Sequence, residues 1–196
     1  MDTALPTDQR IIAEAERLFR EVGYAKTTVA DIACACGMSP ANVYRFFKSK
    51  SAINEAICRR HLGQVEALAR DIAGADASAS ARLRTYAARI HEQTCERYMA
   101  EKRLHDMVAA AINEHWSVIG PHKQTMRGVL RDIIADGAAT GEFPVRDVDR
   151  AASLAAIALM KFCHPLVVAE HIDEDLAGQA AAMADFLVNA LRAGAV

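Results

Sequence analysis

The chain has 196 residues, 52% of them hydrophobic and 6% aromatic, with ten Gly and five Pro and a formal net charge of −2. That is room for one to one and a half average domains, and a composition rich in Ala and Leu but poor in breakers points to an all-α globule. No run reaches the roughly eighteen apolar residues of a membrane span, and residues 1–6 lack a basic-then-apolar leader, so a soluble cytoplasmic protein is expected.

The charge is uneven along the chain. Residues 1–60 hold nine Lys/Arg against seven Asp/Glu, and the remainder fourteen against eighteen, so only the N-terminal part leans basic. Five cysteines (Cys34, Cys36, Cys58, Cys95, Cys163) form an odd set without CxxC spacing, which in a reducing compartment reads as free thiols packed as small apolar groups.

In chain order, residues 8–22 place Ile11, Ala15, Leu18, Phe19 and Val22 on one stripe, a first helix closed by Gly23. Residues 28–50, TVADIACACGMSPANVYRFFKSK, then read as helix, turn and helix. Val29, Ile32, Ala33 and Cys36 follow i, i+3, i+4, i+7 spacing, and Thr28 with Asp31 is the pattern of a capping box. Gly37 suits the left-handed residue that ends a helix, and Ser39-Pro40 restarts one, Ser as cap and Pro at the first helical position. Two helices joined by about three residues containing Gly have helix-turn-helix spacing.

These residues carry a resemblance. From Ile11 through IIAEAERLFREVGYAKTTVADIACACGMSPANVYRFFKSKSAI the chain is similar to the N-terminal domain of the TetR family of transcriptional regulators. The shared landmarks are a Leu-Phe pair, Gly-Tyr, Thr-x-x-x-Ile-Ala, Gly-x-Ser, Val-Tyr-x-x-Phe and Ser-Lys. The resemblance implies a helix-turn-helix DNA-binding domain over residues 1–49 and a C-terminal effector-binding and dimerisation domain over residues 50–196, about nine helices in all.

With Val43 and Phe47 expected to face the core, Pro40, Ala41, Asn42, Tyr44 and Arg45, preceded by Ser39, are left to meet double-stranded DNA. Asn suits adenine N6 and N7, and Arg suits guanine or a phosphate. By resemblance Tyr44 and Lys50 match phosphate-contacting positions, and Thr28 a position where cap and phosphate contact coincide. Phe46 stands where the family usually has His or Tyr, and Asn42-Val43 replaces Thr-Leu; two placements of Phe46 are open, against a thymine methyl or folded into the core.

Further on, Ser49 is expected to cap a long helix reaching residue 72, residues 81–100 a fifth helix, and Leu104 to His115 a sixth, with a break at Pro121 and a seventh helix ending near Gly141. Residues 148–162 and 176–191 are apolar almost all round, unlike a monomer's surface helix. In the resembling family two such helices pair with their mates as a four-helix bundle, so a homodimer through them is expected.

Polar or polarisable groups within the apolar C-terminal helices mark a candidate site for a small organic effector: His91, Cys95, Tyr98, Met99, Met107, His115, Trp116, Met160, Cys163 and His164. No metal or cofactor is assigned. The sequence has no GxxxxGK[ST], GxSxG or HExxH, and an enzyme is not expected. The expected function is a regulator, repressing from a palindromic operator as a homodimer and released by the effector. The alternatives are a metal- or thiol-responsive regulator of the same fold and a helical interaction module without DNA.

Overall fold

The computed structural model describes residues 5–98 and 117–194, the side chains of Arg97 and Tyr98 excepted. Within them the chain is all helix: α1 Thr7–Glu21, α2 Val29–Ala35, α3 Pro40–Phe46, α4 Lys50–Ala73, α5 Ala79–Tyr98, α6 Ile119–Ala139, α7 Val148–Cys163, α8 Pro165–Glu170 and α9 Leu176–Arg192. The helix expected from Leu104 to His115 lies outside the described residues. Pro121, expected as a break, falls in the first turn of α6, where the missing N–H costs no bond. The short α8 was not foreseen; Pro165 stops α7 and opens α8 in the same step.

The described residues fall into two compact units. One runs to Leu62 and includes 117–119; the other comprises 63–98 and 120–194. The expected boundary at residue 50 coincides with the start of α4, and the first unit continues through that helix's first half.

In the first unit α1 buries Ile11, Ala15 and Phe19 while α2, α3 and α4 bury Ile32, Val43, Ile53 and Ile57. Glu16 on α1 is nearly covered, and its carboxylate accepts from Arg20 at 2.8 Å and from Arg60 of α4, with His61 Nε2 at 2.9 Å. A carboxylate this covered needs charged partners to offset its lost hydration, and Arg20 and Arg60 supply them.

In the second unit α5 is central, packed by α7, α8 and α9. Leu83, Tyr86, Ala87 and Ile90 of α5 meet Leu130, Ile133 and Ile134 of α6, Ala152, Ala155 and Leu159 of α7, and Val188 and Leu191 of α9 in one core. The first free amides of α5 are met from far along the chain. Glu142 accepts from Ala79 N at 2.9 Å and Ser80 N at 3.1 Å, and Ser78 Oγ accepts from Ala81 N. Burial alone would raise the Glu142 pKa, but the hydrogen bonds from Ser80, Arg192 and Ala79 outweigh it and hold the carboxyl below its ordinary 4.5. A group with a lowered native pKa stabilises the fold above its unfolded value and loses that contribution as pH falls through the native one. Glu142→Gln is therefore expected to lower stability at neutral pH and to flatten the acid limb below about pH 4.5, read as circular-dichroism melting points from pH 7 down to about pH 3.

Candidate nucleic-acid interface

The helix-turn-helix is built from short-range caps. Thr28 Oγ1 accepts from Asp31 N at 3.2 Å while the Asp31 carboxylate accepts from Thr28 N at 2.8 Å, a complete capping box. At the other end of α2, Gly37 N donates to Cys34 O and Met38 N to Ala33 O, the paired bonds of a Schellman turn, with Gly37 at φ +66°. Any residue with a Cβ is strained at that φ. Ser39 Oγ accepts from Asn42 N at 3.3 Å, Pro40 occupies the first helical position, and four residues, Cys36 to Ser39, join α2 to α3.

On α3 only Val43 is buried. Ser39, Pro40, Ala41, Tyr44 and Arg45 are exposed, and Asn42 is half-buried with its Nδ2 3.8 Å from Met38 Sδ. Phe46 is 46% exposed, which resolves its two open placements toward the surface. Phe47 departs from expectation. As the extended residue that ends α3 it sits half-buried, lining a groove with Gln9, Ile12, Ala52 and Glu55. From Tyr24 to Lys50 the chain carries four Lys/Arg and a single Asp, so the α2–α3 surface is a local positive field within a near-neutral protein.

Two of the expected phosphate contacts are already engaged. The Thr28 hydroxyl donates to Asp31 Oδ2 at 2.7 Å, and the Thr28 hydroxyl and backbone bonds hold the Asp31 carboxyl below the usual range. Lys50 Nζ donates to the carbonyls of Tyr24, Thr27 and Ala25 at 2.7, 3.0 and 3.4 Å.

In the second unit His91 and Cys95 of α5 lie at the end of α7, where Cys163 is the last helical residue and His164 follows it. His91 is buried, and its Nδ1 lies 2.9 Å from Phe162 O; a carbonyl only accepts, so Nδ1 carries the proton. Thr94 Oγ1 donates to Ile90 O at 2.8 Å with Cys163 O at 3.4 Å. His91 and Thr94 thus serve the orphan carbonyls where α7 stops. Cys95 Sγ lies 3.5 Å from His91 Nε2 and 3.8 Å from Nδ1. A sulfur along the Nε2 lone pair would be much farther from Nδ1 than from Nε2, so this one lies beside the ring and the pair is not disposed to chelate. Among the described residues no three His, Cys, Asp or Glu side chains are grouped as metal ligands.

Burial pushes the Cys163 thiol up to about 12 and raises that of Cys95, so both stay protonated near neutrality. The His164 pKa is lowered, by burial first and by Lys123 second, and its Nδ1 has no partner. Gln93 Oε1 is likewise buried without one. Met160 does not join this group. It is 49% exposed on an outward stripe of α7 with Leu154 and Ile157. Met99, Met107, His115, Trp116 and the Tyr98 side chain lie outside the described residues. Thr94 and Gln93 were not foreseen; nothing local distinguishes them from ordinary helix positions.

A family model described as "Bacterial regulatory proteins, tetR family" matches residues 11–57, and one described as "Tetracyclin repressor-like, C-terminal domain" matches residues 79–184, more than half of the chain. The chain belongs to the TetR family. An uncharacterized HTH-type transcriptional regulator of Bacillus subtilis (strain 168), YerO, is 37% identical to this TetR-family chain over 70 residues, 34% of this chain and 24% of YerO. The match thus spans about a quarter of that curated relative's length. A transcriptional regulator from Cytophaga hutchinsonii superposes with a TM-score of 0.71 at 23% identity, covering 94% of this chain and 97% of that one. FadR from B. subtilis, solved in complex with stearoyl-CoA, superposes with a TM-score of 0.64 at 20% identity, covering 92% and 97%. At these identities the superpositions establish the fold: an N-terminal helix-turn-helix and a C-terminal helical domain. Among the described residues no helix is long and apolar enough to cross a membrane.

Proposed function

We propose that this TetR-family regulator acts in the cytoplasm as a homodimeric repressor on a palindromic operator and is released by a small organic effector. The observation that carries the reading is α3, a two-turn helix with one buried side chain, on which Tyr44 and Arg45 stand exposed and Asn42 half-buried in a positive field. Asn42 and Arg45 read base edges, Tyr44 donates to phosphate, and the Ser39–Ala41 end lies nearest the groove floor, as the leading residues of recognition helices do. The packed pair α7 and α9 supplies the dimer face, because it exposes Ile157 at 65% and Phe186 at 67%.

The effector reading rests on the second unit. An apolar core there carries a few directed polar groups, His91, Cys95, Cys163 and His164, and among its buried polar atoms without partners are His164 Nδ1 and Gln93 Oε1. FadR, of the same fold, holds stearoyl-CoA, which supports an organic ligand with an apolar part rather than a metal. Binding that favours one of two conformations shifts the DNA-competent population, and differential affinity sets the size of the response.

Selection of duplexes from a random pool, followed by a salt titration of the winner, tests the reading. Each neutralised phosphate adds about −0.9 to the slope of log K against log salt, so roughly three contacts per protomer give a dimer slope near −5. Arg45→Ala is expected to cost about 1–3 kcal/mol of binding, and Asn42→Ala to relax preference at one base position per half-site. A chain that enriches no duplex at low ionic strength is not an operator-binding protein.

A further inference from the structure

We propose that Lys50 is a positioning residue that clamps the start of α4 onto the α1–α2 connection, and that it makes no phosphate contact, although the resemblance to the family assigns one. An ammonium has three N–H donors. Here they meet three converging backbone carbonyls, Tyr24 O at 2.7 Å, Thr27 O at 3.0 Å and Ala25 O at 3.4 Å, and Nζ also lies 4.4 Å from the centroid of the Tyr24 ring. All donors are used, and the charge is balanced by three carbonyl dipoles and an aromatic face. Reaching a phosphate would break these bonds for one replacement.

The clamp sits where it governs the interface. Tyr24 packs edge-on against Phe19 of α1, with ring centroids 5.1 Å apart. Thr27 is buried and its Oγ1 donates to Gly23 O at 2.8 Å. Thr28, the next residue, caps α2. Lys50 therefore ties the end of α1, the cap of α2 and the first turn of α4 into one piece, and α3 is carried between the last two. The clamp itself is a property of the free protein; only its effect on DNA rests on the operator-binding reading.

The test compares wild type, Lys50→Met and Lys50→Arg on the duplex that wild type enriches from a random pool. Lys50→Met is expected to bind about tenfold more weakly on every duplex with an unchanged salt slope, and to melt earlier without DNA. Lys50→Arg is expected not to rescue, since a planar guanidinium fork does not fit three carbonyls converging on a point. A slope shallower by about 0.9 per protomer, restored by Lys50→Arg with no change in melting, overturns the proposal.

Nitrogen-15 spectra of lysine-labelled wild type decide the matter without a variant. The Lys50 ammonium should be protected from exchange in the free protein and unmoved by duplex; rapid exchange in the free protein, or a large shift on binding, counts against the clamp. Should no duplex bind, the operator reading fails, and the exchange measurement still judges the clamp.

Discussion

Replacing both Ile157 and Phe186 by glutamate is expected to leave the protomer folded and to abolish the dimer. The two side chains are 65% and 67% exposed in the protomer, so few folded-state contacts are lost, and surface changes of this kind usually stay within about 0.5 kcal/mol. In the proposed dimer the same positions lie at the centre of an apolar interface, where a large anchor carries about 2–4 kcal/mol and a buried unpaired charge adds a further penalty. Four new carboxylates facing each other across a twofold axis leave little to hold the partners. Sedimentation should show a monomer at concentrations where wild type is dimeric. Operator affinity should fall by about 10²- to 10⁴-fold, because each half-site is then bound without help from its twin. A variant that stays dimeric at full affinity would show that the exposed face of α7 and α9 serves another purpose.

The second large effect is expected inside the second unit, at Phe143. This ring is fully buried and lies flush on Gly137 of α6: a Cβ built on Gly137 would come within 2.2 Å of Phe143 Cδ2 and 2.9 Å of Ala79 Cβ. Phe143→Ala removes a whole aromatic from a closed core and is expected to cost about 3–5 kcal/mol. For a chain of this size that lowers the melting point by about 6–20 °C, measured at fixed protomer concentration because dimerisation shifts it. Gly137→Ala should cost about 1–3 kcal/mol by driving the ring out of place. The double variant supplies the control. The added methyl occupies space the ring has left, so the combined loss should be smaller than the sum of the single losses. Strict additivity would mean that the two residues do not share this contact.

What could be read from the residues in advance was whatever is settled within one or two turns of chain. The Thr28–Asp31 box, the Gly37 turn, Ser39-Pro40 and the cap at Ser49 all depend on partners about three residues away, and the structure has each of them. The long helices were legible from periodicity to within a residue or two at most ends. Contacts that join distant parts of the chain were not. Glu142 capping α5 from 62 positions away, Glu16 gathering Arg60 and His61, and the three carbonyls around Lys50 leave no mark in any local window. Of the candidate effector residues, His91 and Cys95 of α5 lie where α7 ends at Cys163, because two helices meet there. Met160 was grouped with them on chemistry alone, and the rotation of α7 turns it outward.

The five thiols differ in exposure. Cys34 lies exposed on α2, while Cys36 is buried and burial raises the thiol pKa at Cys36, Cys58, Cys95 and Cys163. A maleimide spin label at neutral pH should therefore mark one position per protomer, without mutagenesis, beside the recognition helix. In the proposed dimer, pulsed electron resonance on that native handle would follow the separation of the two α3 helices directly as candidate effectors are added.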